Sequence, residues 1–103
     1  MKSIYNKSPV GKRLREARTR RGISQKNLGI LAGIDQFTAS ARINQYERDK
    51  HVPDYRTAKR LADALNISVT YFYAEDNELA ELIMRFTETS KRKRIQMLKI
   101  LAE

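Results

Sequence analysis

The chain reads as an all-α protein: a compact five-helix core followed by one or two further helices at the C-terminal end. Three observations lead there. Apolar residues recur at three- and four-residue spacing in stretch after stretch, the period of a helix with one buried face. Ser or Asp stands just before several of these stretches, and Gly or Asn just after, where helix ends need capping. The chain has 103 residues and no cysteine, so it suits one small domain held by packing rather than by disulfides.

Residues 1–8 are mostly polar and aperiodic, and read as a flexible arm whose Lys2 and Lys7 either meet phosphates or are simply solvated. Ser8 and Pro9 open a first helix over residues 9–21, with Ser8 as cap and Pro9 in the first turn, where a missing N–H does no harm. Val10, Leu14 and Ala17 form its apolar face and Gly22 ends it. Arg18 falls on the edge of that face, as a snorkelling residue or as half of a buried ion pair. A second helix follows the Ser24 cap and runs to Ala32, before Gly33, with Leu28 and Ala32 inward. Gly29 lies inside it, where glycine costs roughly 1 kcal/mol relative to alanine, so another helix is expected to approach closely there. Ile30 and Leu31 point partly outward, toward the C-terminal helices or another subunit.

Residues 35–40 form an irregular joint with three candidate caps, Asp35, Thr38 and Ser40, and a third helix starts near Thr38. Ile43 and Tyr46 face inward. Ser40, Ala41, Arg42, Asn44 and Gln45 therefore face out or flank the outer surface. Two helices joined in this way make a helix-turn-helix, whose second helix enters a DNA major groove. The side chains suit that use, since Asn and Gln can pair bidentately with adenine, Arg with guanine, and Ala can meet a thymine methyl. A merely solvated polar face has the same composition. Glu47, four residues after Ile43, can reach Arg18; such a pair, if buried, fixes the angle between the first and third helices.

After a polar loop over residues 48–52, Pro53 and Asp54 open a fourth helix over residues 55–65, with Ala58, Leu61, Ala62 and Leu65 as its stripe and Asn66 at its end. Ile67, Val69 and Phe72 belong to a short fifth helix capped by Ser68, which closes the core. Asp76 starts another helix bearing Leu79, Leu82, Ile83 and Phe86. Thr89 and Ser90 mark a break, and the last stretch carries the basic residues 91–94 and then Ile95, Leu98, Ile100 and Leu101. This terminal part holds more apolar surface than a small domain needs for itself, so it either dimerises or folds back over Ile30 and Leu31. The basic run reads as a solvated helix face with no DNA role.

The net charge is +9, and its placement is informative. Residues 1–60 hold fifteen Lys and Arg against five Asp and Glu, whereas residues 61–103 hold six against seven. A polyanion docking on the first part would release counterions, giving salt-sensitive attraction. No signal peptide and no long apolar run appear, so a soluble cytoplasmic protein without membrane contact is expected. No nucleophile, paired acid or ligand cluster suggests catalysis, a metal or a cofactor, and the lone His51 reads as a loop residue beside phosphate.

The succession RGISQKNLGILAGI, INQYERDKHVP and AKRLADALNISVTYFY resembles the lambda-repressor-like helix-turn-helix domain of phage repressors, Cro proteins and XRE-family bacterial regulators. It covers about residues 10–73, within a domain read as residues 9–74, with residues 75–103 as a helical extension for dimerisation or a protein partner. The resemblance implies double-stranded DNA as partner, read by Ser40, Ala41, Arg42, Asn44 and Gln45. It implies backbone contacts from Gln25, Arg48, Lys50 and His51, beside which Asn27 and Thr38 are further candidates, and a structural pairing of Arg18 with Glu47. One departure stands out: Gly33 and Ile43 lie ten positions apart, several more than in the family, so residues 36–40 enlarge the joint. Gln36, Phe37 and Thr38 either reach the DNA or only lengthen the turn. The expected function is a sequence-specific transcriptional regulator, a repressor binding a palindromic operator as a homodimer. The alternatives are the antitoxin of a toxin–antitoxin pair and, from a different class, a basic RNA-associated or bridging protein. Few clustered aromatics are available for stacking single-stranded bases, which speaks against RNA.

Overall fold

The computed structural model describes residues 8–103. The arm with Lys2 and Lys7 lies outside the described residues. Six α-helices and one 3-10 helix make up the described part, with no strand in it: α1 (Val10–Arg21), α2 (Gln25–Leu31), α3 (Ala39–Glu47), α4 (Tyr55–Leu65), the 3-10 helix (Val69–Tyr73), α5 (Asn77–Glu88) and α6 (Lys91–Leu101).

Local chemistry sets these bounds. Ser8 Oγ accepts the Val10 N–H at 3.1 Å, and Pro9 already has helical dihedrals. Ser24, Asp54, Ser68, Asp76 and Ser90 each accept a backbone N–H two or three residues on, capping every later helix except α3. The bond from the Thr57 N–H holds the Asp54 carboxyl below its ordinary value. Four helices end on left-handed residues, Gly22, Gly33, Asp49 and Asn66. In each case the next N–H reaches back to a carbonyl five residues earlier, as with Lys50 to Gln45 at 2.9 Å, so the orphan carbonyls at the helix end are satisfied.

The stripes meet in one core built from Leu14, Leu28, Ile43, Leu61, Leu65 and Phe72, all fully buried. Arg13 is buried among them. Its guanidinium donates to the Ala74 carbonyl at 2.7 Å, the Glu75 carbonyl at 3.1 Å and Glu16 at 3.0 Å, tying α1 to the segment that leads into α5. Burial pushes the nearby Tyr71 hydroxyl above its ordinary value, and Glu16, to which it donates, adds to the shift. Arg13 lies about 40° to one side of the stripe of Val10, Leu14 and Ala17, as Arg18 does on the other, so the period does not single it out.

Two details make the expectations more definite. The short fifth helix is a 3-10 helix of five residues between Ser68 and Ala74. The C-terminal part is two helices, and they do not fold back over Ile30 and Leu31, which stay exposed. Instead α5 docks on the 3-10 helix by burying Ala80 and Met84, and Arg20 of α1 pairs with its Glu81 and Glu88. α6 buries no residue. Arg94 holds it in place by donating to the Phe86 and Thr87 carbonyls while lying over the Phe86 ring. One member of the basic run thus caps α5. Among the described residues no helix is long and apolar enough to cross a membrane.

Candidate nucleic-acid interface

Gly29 allows α2 and α3 to touch. A Cβ there would lie 2.7 Å from Ala39 Cβ, so only glycine lets the backbones come this near. With Ala39, Ile43 and Tyr46 buried, the 100° step of a helix turns Ala41 straight outward and places Asn44 and Gln45 on either side of it. Ser40 and Arg42 flank this ridge. Ser40, Ala41 and Arg42 are exposed, and Asn44 and Gln45 are half-buried.

Behind the ridge lies a chain of polar contacts. Arg18 Nε donates to Glu47 Oε2 at 2.5 Å and its Nη2 to Glu47 Oε1 at 3.1 Å, with Nη1 on the Ile23 carbonyl at 3.0 Å. The Glu47 side chain is 4 % exposed and that of Arg18 17 %. Gln25 Nε2 donates to Glu47 Oε1 at 3.0 Å and to Asn44 Oδ1 at 3.3 Å. This network joins α1, the start of α2 and α3, and it sorts the two amides of α3. Asn44 gives its oxygen to Gln25 and keeps its NH2 for a partner outside. Gln45 has no side-chain partner among the described residues, so its whole amide is available for the bidentate pairing that adenine offers. The Gln25 amide nitrogen is engaged inward, and a phosphate contact from that side chain requires one of its two bonds to be exchanged.

Cations border the ridge. Arg15, Arg18 and Arg48 line a cleft of about 360 Å3 together with Gln25, Asn44 and Glu47. Arg15 was missed in the sequence, although it lies one turn before Arg18. Arg48, Lys50 and His51 are exposed at the far end of α3, where the turn at Asp49 bends the chain back against Gln45. Asn27 and Thr38 are exposed as well; the Asn27 N–H is taken by Ser24, and Thr38 Oγ1 donates to the Asp35 carbonyl. A larger open groove of about 920 Å3 runs along α1, but its walls mix Lys12, Arg15 and Arg20 with Glu16, Asp49 and Glu75 and present no paired nucleophile and base. Among the described residues, no group of three or more His, Asp or Glu could hold a metal ion.

A family model described as a helix-turn-helix domain matches residues 11–78. The chain belongs to that helix-turn-helix family. The match spans α1 to the start of α5 and agrees with the lambda-repressor-like, XRE-type resemblance of the sequence. Among curated proteins, the HTH-type transcriptional regulator ImmR of Bacillus subtilis (strain 168) is 34 % identical over 67 residues, which are 65 % of this chain and 50 % of that protein. The chain therefore spans about half the length of that relative. Among solved structures, the transcriptional regulator BswR superposes with a TM-score of 0.86 at 43 % identity, covering 90 % of this chain and 92 % of that one. That likeness extends well beyond the helix-turn-helix match, so most of α5 and α6 is shared architecture and not a stray tail.

Proposed function

We propose that this protein is a sequence-specific DNA-binding transcriptional regulator, acting as a repressor by occupying an operator. One observation carries the reading. The outward ridge of α3 presents a free amide on Gln45, donors on Asn44 and the small Ala41, and it is bordered by Arg15, Arg48 and Lys50. An α-helix so dressed fits a major groove, with the cations on the phosphates supplying affinity and the ridge supplying choice. The names of the two relatives, both transcriptional regulators, support the same reading.

The repressor acts as a homodimer on an imperfect palindrome. The support is the apolar surface of Leu82, Phe86, Ile95, Leu98 and Leu101 along α5 and α6, which the chain leaves exposed and a second copy would cover. Two copies related by a two-fold axis place their α3 helices about 34 Å apart, one DNA turn. Selection of bound duplexes from a random pool tests specificity and spacing together. Enrichment of an inverted repeat with half-sites one turn apart is expected; recovery of unrelated sequences would reject the reading.

A further inference from the structure

Phe37 is the most exposed large apolar side chain of the described residues, at 87 %. It sits in the enlarged joint, yet that joint is not slack. The Phe37 N–H donates to Asp35 Oδ2 at 3.0 Å, the Thr38 N–H to the Asp35 carbonyl at 3.0 Å, and the Arg42 N–H to the Thr38 carbonyl at 2.9 Å. Thr38, at φ −115° and ψ −5°, is the cap of α3, and residues 36–38 form a turn that leads directly into that helix. Phe37 thus stands, exposed, two residues before α3 begins, at the end of the joint from which the outward stripe of Ala41 and Asn44 starts. The Asp35 carboxylate, the only acid in the joint, is turned onto the backbone.

We infer that Phe37 is a base-reading residue that packs its ring on a thymine 5-methyl group in the major groove. The inference rests on the DNA-binding reading above and extends it from α3 into the joint. Apolar contact with that methyl group is the one base-edge feature a phenyl ring can recognise. From Ala39 to Gln45 the helix alone is about 9 Å long at 1.5 Å per residue, and Phe37 lies before its first residue, so Phe37 reads the end of the half-site away from Gln45. A ring left in water by the fold itself gains its burial only on the bound duplex.

The test uses the full chain and the duplex that wild-type protein selects from a random pool. Each thymine of a half-site is replaced in turn by deoxyuridine, which removes only the methyl group. One such replacement should weaken wild-type binding about fourfold, the worth of one buried methyl group. It should leave Phe37→Ala unaffected, while Phe37→Ala itself binds the unmodified site several times more weakly and Phe37→Leu retains most of the affinity. Folding of Phe37→Ala, checked by its melt, should match wild type because the ring packs on nothing. Equal affinity of Phe37→Ala and wild type, or a methyl effect that persists in Phe37→Ala, would overturn the inference while leaving the DNA-binding reading intact. Wild-type protein that selects no sequence would remove both.

Discussion

Replacing Arg18 with methionine removes two charge-assisted bonds from a carboxylate that is 4 % exposed, leaving Glu47 with Gln25 alone. A buried charge stripped of its partner costs roughly 3–5 kcal/mol, against about 0–1 for an exposed pair. Glu47→Gln is the milder change, because an amide oxygen still accepts and the guanidinium, 17 % exposed, keeps the Ile23 carbonyl and some water. It should cost about 1–2 kcal/mol. For a domain of this size each kcal/mol lowers Tm by about 4–8 °C, so Arg18→Met should melt at least about 12 °C below wild type. The double variant Arg18→Met with Glu47→Leu should recover more than half of that loss, since two apolar groups leave no orphan charge. Denaturant titration followed by far-UV circular dichroism measures all three. A loss below about 1 kcal/mol for Arg18→Met, or no recovery in the double variant, would refute the idea that this pair fixes α1 against α3.

Three further outcomes are expected. Gly29→Ala should destabilise by about 1–3 kcal/mol, although alanine favours a helix, because its Cβ would meet Ala39 at 2.7 Å; a rise in Tm would show that the two helices can part at no cost. Leu98→Asp, at a site exposed in the single chain, should leave the melt of dilute protein near wild type but shift sedimentation from dimer to monomer and weaken operator binding, and an unchanged sedimentation profile would place the contact elsewhere. Tyr71 carries a hydroxyl whose value is raised above 10.0 in the folded state, chiefly by burial, so the unfolded chain releases that proton first and stability falls as pH rises above about 10. Tyr71→Phe should remove that part of the alkaline decline, visible as a flatter plot of denaturation midpoint against pH than in wild type.

Most of the fold could be read from caps and stripes because both act over a few residues. Ser24, Asp54, Ser68, Asp76 and Ser90 all cap helices, and Gly22, Gly33 and Asn66 all end them in the left-handed form. What escaped depends on distant groups. Arg13 is buried only because the carbonyls of Ala74 and Glu75, more than sixty residues away, come to meet it. Asp49 takes a positive φ because the chain must turn tightly after α3, a demand no composition announces. The course of α6 is set by Arg94 on the end of α5, and the periodicity of Ile95, Leu98 and Leu101 could not distinguish covering the core from facing solvent. On α3 the ridge was legible from period alone, but the division between Asn44, tethered to Gln25, and the free Gln45 depends on where the fold places Gln25, nineteen residues before Asn44.

That division leads to the most direct measurement. Affinities of wild type, Gln45→Ala and Lys50→Ala are compared on the selected operator and on a scrambled duplex at one salt concentration. Gln45→Ala should lose about 1–3 kcal/mol on the operator and little on the scrambled duplex, whereas Lys50→Ala should weaken both by the same factor. Equal losses for Gln45→Ala on the two duplexes would mean that the outer ridge of α3 touches DNA without reading it.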